Sequence, residues 1–195
     1  EICKKIQLVK GEKNRLLLKN PWDFPNFLFI KEKIPQSKFI FIHRHPLDIM
    51  NSSMNALRVI INKETVYSEI FSPFAKKIDE NPLLQWFLQS LLIPQLPVGL
   101  SLLIENRVRY TKKFLTDIKK LDKKSFINIK YEDLCNHTSS TMKKVFNHLQ
   151  LDSVDFKQFE DFIQPRNLSY LPEIYNMKPY ILNRFKKYCT FFNYQ

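Results

Sequence analysis

Two basic residues that are suited to binding a phosphate group stand where predicted β-strands end. Lys19 closes one apolar run and Arg44 closes the next. Parallel sheets bind ligands beyond the carboxyl ends of their strands, so two neighbouring strands would direct both cations at one anion. The guanidinium of Arg44 is a planar fork that suits phosphate, and the ammonium of Lys19 is a mobile point charge. The pattern indicates an anion site; the alternative is that both are ordinary surface cations.

A hydroxyl group follows Arg44 at helical spacing. Ser52 lies eight positions after Arg44, which corresponds to about two turns of an α-helix. Pro46 suits the first turn of such a helix, and Asp48 is favourable near its positive end. A helix packed beside the strand would therefore bring the Ser52 hydroxyl toward the same anion.

The elements that must position these residues are short apolar runs and amphipathic segments. Residues 15–19 read as a buried strand, and residues 38–44 as a β-branched and aromatic strand covered on both faces. Helices are predicted over residues 25–34 and from Pro46 onward. Residues 15–62 thus predict a strand–helix–strand–helix unit with parallel strands and a right-handed crossover.

The rest of the chain continues this alternation. A further strand is predicted over residues 125–130. Further helices are predicted over residues 83–93, 100–121, 138–149, 156–163 and 179–192. In the helix at 138–149, the residues expected to face inward are Met142, Val145, Phe146 and Leu149. We expect one α/β domain over residues 1–195, with a parallel sheet flanked by helices.

Composition excludes several kinds of site. The chain has 195 residues, a formal charge of +12 and only two glycines, Gly11 and Gly99, which rules out a GxxxxGKS or GxGxxG phosphate loop within it. Its three cysteines are far apart, so neither a disulfide framework nor a CxxC metal site is predicted. His43 and His45 flank Arg44, but no Cys, His or carboxylate set completes a metal site, and we predict none.

Four segments in order resemble the PAPS-dependent sulfotransferases. They are RLLLKNP at residues 15–21, IPQSKFIFIHR at 34–44, RHPLDIMNS at 44–52 and IKYEDL at 129–134. They are similar to the family's leucine-rich strand ending in Lys-x-Pro, its FPxAKFIxIxR strand, its RxPxxxxxS 3′-phosphate motif and its YEDL segment. The resemblance covers roughly residues 12–150, and four motifs in order are far more specific than one.

The resemblance implies a P-loop-like sulfotransferase fold and transfer of a sulfuryl group from PAPS to a hydroxyl or amine, without a metal. It implies that Arg44 and Ser52 bind the 3′-phosphate of the donor and that Tyr131 contacts the nucleotide, although Tyr131 could equally be a satisfied phenol at a strand end. Lys19 is similar to the lysine that reaches toward the sulfuryl group. Asp23 stands where some members carry a histidine base, and its alternative role is a turn residue or helix N-cap.

One family element is missing from the chain. The sulfotransferases carry an N-terminal Gly-rich loop of the RSGTT type, whose backbone N–H groups cradle the 5′-phosphosulfate. Residues 1–14 contain nothing similar. We therefore expect a fold that is incomplete at its N-terminus, belonging either to the C-terminal portion of a sulfotransferase or to an inactive truncated relative that only binds a nucleotide or anion.

The sequence predicts partners only by class. The resemblance implies that an acceptor, which is a small molecule, glycan, lipid or peptide, is chosen by the segment at about residues 63–110, with Trp86 as a candidate lining residue. The paired lysines read as solvated helix faces, with an anionic acceptor or a nucleic acid as alternatives; no nucleic-acid recognition module accompanies the charge, so nucleic acid is not expected. No membrane span and no targeting signal are predicted, which leaves both the cytoplasm and the Golgi lumen open.

Overall fold

A parallel pair of strands forms the sheet in the described part of the chain. The computed structural model describes residues 15–19, 21–61, 80–91, 98–165 and 169–194. Within them, β1 (Phe39–His43) pairs in parallel with β2 (Phe126–Lys130), with Phe39 opposite Phe126 and His43 opposite Lys130. Both strands fall within one residue of their predicted positions, because continuous β-branched and aromatic runs are strong strand signals.

Helices flank this pair, and an α/β fold with a parallel sheet flanked by helices is confirmed. The α-helices are α1 (Phe27–Lys33), α2 (Pro46–Ile61), α3 (Pro82–Leu91), α4 (Val98–Asp117), α5 (Tyr131–Asn136), α6 (Thr138–Leu149), α7 (Pro172–Asn176), α8 (Lys178–Arg184) and α9 (Lys186–Phe192). Short 3-10 helices cover Pro21–Asn26, Ile118–Lys120, Lys123–Ser125 and Phe156–Phe159.

The predicted strand over residues 15–19 is wrong. These residues have no regular structure, and Leu17 and Leu18 are 80 % and 60 % exposed. Arg15 instead donates a hydrogen bond to the carbonyl oxygen of Leu149, at the end of α6. A buried strand needs a neighbouring strand to pair with and a covered face, and this run has neither among the described residues. The unit predicted for residues 15–62 therefore begins with a helix rather than a strand.

Three other details differ from the sequence-based expectation. Ile42 of β1 is 55 % exposed, so this strand is not covered on both faces. The helix predicted over 156–163 is a single 3-10 turn, and the helix predicted over 179–192 divides into α8 and α9. The division falls at Phe185, which is fully buried and whose ψ of 7° departs from helical geometry. The helix α6 spans the predicted residues, with Val145 buried on its inner face.

The core lies on one face of β1. Residues of a strand alternate between faces, so Phe39, Phe41 and His43 point the same way. They pack against α1 and α4, where Phe27 and Phe114 are fully buried. The same core receives Phe185, Tyr188 and Phe192 from the C-terminal helices. These packed aromatic rings hold the carboxyl end of β1 in place, and the parallel ladder holds that of β2 beside it.

Candidate anion-binding site at the strand ends

Arg44 and Tyr131 lie side by side at the carboxyl ends of β1 and β2. His43 is opposite Lys130 in the parallel ladder, so the next residue of each strand leaves the sheet at the same edge. The guanidinium carbon of Arg44 lies 4.4 Å from the centroid of the Tyr131 ring, which is cation–π distance. The structure thus brings together two of the residues that the sequence singled out, and the aromatic face supports the cation from below.

Asp48 occupies one edge of the Arg44 guanidinium. It lies in the first turn of α2, and its Oδ2 is 3.3 Å from Nε of Arg44. The two side chains are only 17 % and 20 % exposed, so water screens this pair less than it would an open surface pair. Among the described residues, the terminal nitrogens of Arg44 have no hydrogen-bond partner. The guanidinium is therefore oriented by Asp48 while its two terminal amino groups remain available.

Ser52 lies on the same side of α2 as Asp48. The two residues are four positions apart, and residues with this spacing are neighbours on a helix surface. Ser52 is exposed. Ser52 therefore lies on the side of α2 that carries Asp48, the ion-pair partner of Arg44, and its contact with an anion stays a prediction.

A tyrosine from a distant segment reaches the same site. Tyr170 donates its hydroxyl proton to Oδ1 of Asp48. The backbone on either side of Tyr170 is held by Asn51, whose amide nitrogen donates to the Ser169 carbonyl at 3.1 Å and whose oxygen accepts the Leu171 N–H at 2.9 Å. Burial, and then the hydrogen bond to Asp48, raise the pKa of Tyr170 to about 12, so the phenol stays a donor at neutral pH.

A buried hydrogen-bond network lies beneath Arg44. His43 is 2 % exposed, with Nε2 2.9 Å from Oδ1 of Asn128 and Nδ1 3.1 Å from the hydroxyl of Tyr188. Because the amide oxygen can only accept, Nε2 carries the proton and the Tyr188 hydroxyl donates to Nδ1. The ring also stacks on Phe192, with 3.6 Å between centroids. Every polar atom of the imidazole is satisfied in its neutral form.

Glu132 ties the two strand ends together. Its Oε1 accepts the backbone N–H of His45 at 2.9 Å, and its Oε2 accepts the hydroxyl of Tyr194 at 3.0 Å. Burial, and then the charge of Glu132, raise the pKa of Tyr194, which stays protonated. The carboxylate after β2 thus fixes the residue that follows Arg44, and the C-terminal segment closes over both strand ends.

The segment that carries this geometry has a family match. Residues 2–89 match the sulfotransferase family. The resemblance to sulfotransferases is thereby confirmed over a segment that includes Lys19, Asp23, Arg44 and Ser52. Comparison with curated proteins and with solved structures gives no match.

Two predicted catalytic residues of the sulfotransferase-family segment are not joined to Arg44 by any described contact. Lys19 is exposed and lies outside the sheet rather than at a strand end. Asp23 lies in the 3-10 helix Pro21–Asn26, and its side chain is outside the described residues. Trp86 is 67 % exposed on α3, and much of the predicted acceptor region at 63–110 lies outside the described residues.

The described residues contain no group of three or more His, Cys, Asp and Glu side chains arranged to hold a metal ion. No helix in the described part of the chain combines the length and the apolar character needed to span a bilayer.

The network at His43 predicts a dependence of stability on pH. Burial lowers the pKa of His43 from 6.5 to about 4. Between these values the unfolded chain binds a proton that the folded chain does not, so stability falls as the pH falls. From pH 7 to pH 5 this residue should lower the free energy of unfolding by about 2 kcal/mol. Urea titrations of the wild type and of His43→Gln at both pH values measure the loss.

The comparison needs a histidine control. The pKa of His148 is also lowered by burial, so the difference between wild type and His43→Gln, rather than the total slope, reports on His43. The exposed His137 serves as the control, and His137→Gln should keep the wild-type pH dependence. An equal slope in His43→Gln and wild type would contradict the prediction.

Proposed function

We propose that this chain binds the 3′-phosphate of PAP or PAPS through Arg44 and Ser52, and that Tyr131 contacts the nucleotide. The observation that carries the proposal is the seating of Arg44 at the carboxyl ends of two parallel strands, on the Tyr131 ring and with its terminal nitrogens available among the described residues. The family match over residues 2–89 supports the choice of ligand.

The chemistry of these groups suits a phosphate. Two terminal nitrogens of a guanidinium can donate in parallel to two phosphate oxygens, and a serine hydroxyl can donate to a third. The start of α2 at Pro46 adds the positive end of a 16-residue helix two residues after Arg44. Asp48 opposes the anion with its negative charge, but it contacts Nε alone and so leaves the edge of the guanidinium with the terminal nitrogens unblocked.

We further propose a transfer role for the bound nucleotide. A sulfuryl group would move from the phosphosulfate of PAPS to a hydroxyl or amine: the bond from sulfur to the phosphate oxygen breaks, a bond to the acceptor atom forms, and the acceptor proton passes to a base. Charge gathers on the equatorial and leaving oxygens, so a cation assists the step more than a covalent nucleophile would. Lys19 is the proposed cation and Asp23 the proposed base, on the strength of their positions in the family motif.

Removal of Arg44 should sharply weaken PAP binding. Loss of a charge-assisted pair with phosphate is expected to raise the Kd of PAP by about 10- to 100-fold in Arg44→Ala. Arg44→Lys keeps the charge but not the planar fork, so its affinity should lie between those of wild type and Arg44→Ala. Isothermal titration calorimetry with PAP measures all three.

The control removes an equal charge elsewhere. Arg109 is exposed on α4, and Arg109→Ala should bind PAP like the wild type. Equal PAP affinity in Arg44→Ala and wild type would remove the proposed 3′-phosphate site. Transfer of labelled sulfate from PAPS to a panel of hydroxyl and amine acceptors would exclude the binding-only alternative.

A further inference from the structure

Asp48 divides its two oxygens between Arg44 and Tyr170. Oδ2 lies 3.3 Å from Nε of Arg44, a long contact for an ion pair, whereas Oδ1 accepts the hydroxyl of Tyr170. A carboxylate next to an arginine ordinarily prefers the two-point geometry in which both oxygens accept from the fork. Here the second oxygen is occupied by a phenol instead, and the carboxylate contacts only the edge of the guanidinium.

The backbone on both sides of Tyr170 is held in place by the side chain of Asn51. Asn51 is fully buried, and its amide donates to Ser169 and accepts from Leu171, so both peptide units beside Tyr170 are fixed. Asn51 lies three positions after Asp48 on α2. The residue that holds the backbone of Tyr170 and the carboxylate that accepts its hydroxyl therefore belong to the same helix. The position of Tyr170 is therefore fixed relative to α2, the helix that begins two residues after Arg44.

From this arrangement we propose that Tyr170 is a positioning residue for the anion site: its hydroxyl holds Asp48 to a single contact on Arg44 and so keeps the terminal nitrogens of the guanidinium open to phosphate. The inference rests on the proposed function and deepens it, because it states what keeps the site in a binding-competent form. Tyr170 acts through Asp48 and is not itself a ligand for the phosphate.

Loss of the hydroxyl would close the site. In Tyr170→Phe, Oδ1 of Asp48 loses its donor, and the carboxylate is only 17 % exposed, so few waters can replace it. The guanidinium that Oδ2 already contacts carries terminal nitrogens that have no partner among the described residues. Rotation onto them would form the two-point ion pair, and an incoming phosphate would then have to displace a carboxylate.

The test is a double-mutant cycle on PAP affinity. Tyr170→Phe alone should raise the Kd of PAP by about three- to tenfold, the effect of one hydrogen bond. In the background of Asp48→Asn, whose neutral amide cannot form the two-point ion pair, adding Tyr170→Phe should change the Kd by less than about twofold. Calorimetric titrations of the four proteins measure this cycle, and suppression by Asp48→Asn is a result that a merely structural tyrosine would not give.

A second tyrosine provides the matched control. Tyr175 lies on α7 with 72 % of its surface exposed, and Tyr175→Phe should leave PAP affinity unchanged. Unchanged affinity in Tyr170→Phe overturns the inference, and so does an equal loss in the Asp48→Asn background, which would mean that the phenol contacts the ligand directly. If the wild type does not bind PAP, or if Arg44→Ala binds it equally well, the proposed function falls as well. If Arg44→Ala loses binding and Tyr170→Phe does not, only the inference falls.

Discussion

Replacing Phe114 by alanine should lower the free energy of unfolding by about 3–5 kcal/mol. Phe114 is wholly buried on α4. Its ring stacks on Phe24 with 4.8 Å between centroids and meets Phe41 edge-on at 5.0 Å. Truncation removes these contacts and leaves a cavity that the rings on four neighbouring elements cannot fill without leaving their preferred rotamers. The predicted loss is about a third of the free energy of unfolding of a typical protein, which is 5–15 kcal/mol.

Urea denaturation at pH 7 measures this loss, and two variants bracket it. Phe114→Leu keeps most of the volume and should lose less stability than Phe114→Ala. Phe162 is 85 % exposed, so Phe162→Ala should change the free energy of unfolding by no more than about 0.5 kcal/mol. Similar losses of stability in Phe114→Ala and Phe162→Ala would show that the packed rings of Phe24, Phe41 and Phe114 are not the core of the fold.

The position of Phe114 links this core to the candidate site. Its ring lies 5.3 Å from that of His43, the last residue of β1, and Arg44 follows directly. The geometry of the strand end therefore depends on the packing beneath it. Sequence reasoning could predict this dependence only in part, because it located β1 and the helix carrying Phe114 but not the packing of one against the other.

Local patterns were enough to predict both strands and most helices. The run at 38–44 and the run at 125–130 are dense in β-branched and aromatic residues, and their strand conformation follows from that density. The contact of Arg44 with Tyr131 was not predicted, because it depends on β1 and β2 being neighbours, whereas the expected neighbour of the Arg44 strand was the run that ends at Lys19. The three leucines at 16–18 carried an equally apolar signal, yet a sequence pattern reports hydrophobicity and not the presence of a covering partner.

The contacts that complete the site were beyond sequence reasoning. Tyr170 meets Asp48 across a sequence separation of 122 residues, and Tyr188 meets His43 across 145. Nothing in local spacing encodes such a meeting, since it depends on how α7, α8 and α9 return across the strand ends. Asn51 offered only a weak signal: it is a polar amide beside the apolar residues Leu47, Met50 and Met54 on the buried side of α2, and it needs partners once it is buried.

Replacing Arg58 by methionine should lower the free energy of unfolding by about 3–5 kcal/mol. Glu173 is 3 % exposed at the start of α7, and Nη2 of Arg58 on α2 lies 2.5 Å from its Oε1. Without this partner a buried carboxylate would be left without its counter-charge, which is among the largest penalties available to a single substitution. Glu173 also follows Leu171 by two residues, and Leu171 donates its N–H to Asn51. The ion pair is therefore close in sequence to the segment that carries Tyr170.

A double-mutant cycle separates the free energy lost with the ion pair from the cost of leaving Glu173 buried without a counter-charge. Arg58→Met with Glu173→Met replaces both ions by apolar groups of similar length, and it should recover most of the stability that Arg58→Met alone loses. Lys33 and Glu32 form the matched exposed pair, with 59 % and 68 % of their side chains accessible, so Lys33→Met should have an effect of about 1 kcal/mol or less. A double variant no more stable than Arg58→Met would mean that the ion pair itself, rather than the cost of an unpaired charge, stabilises the contact between α2 and α7. Glu173 lies three residues after Tyr170, so PAP titration of the double variant tests whether an apolar contact between α2 and α7 holds Tyr170 as well as the ion pair does.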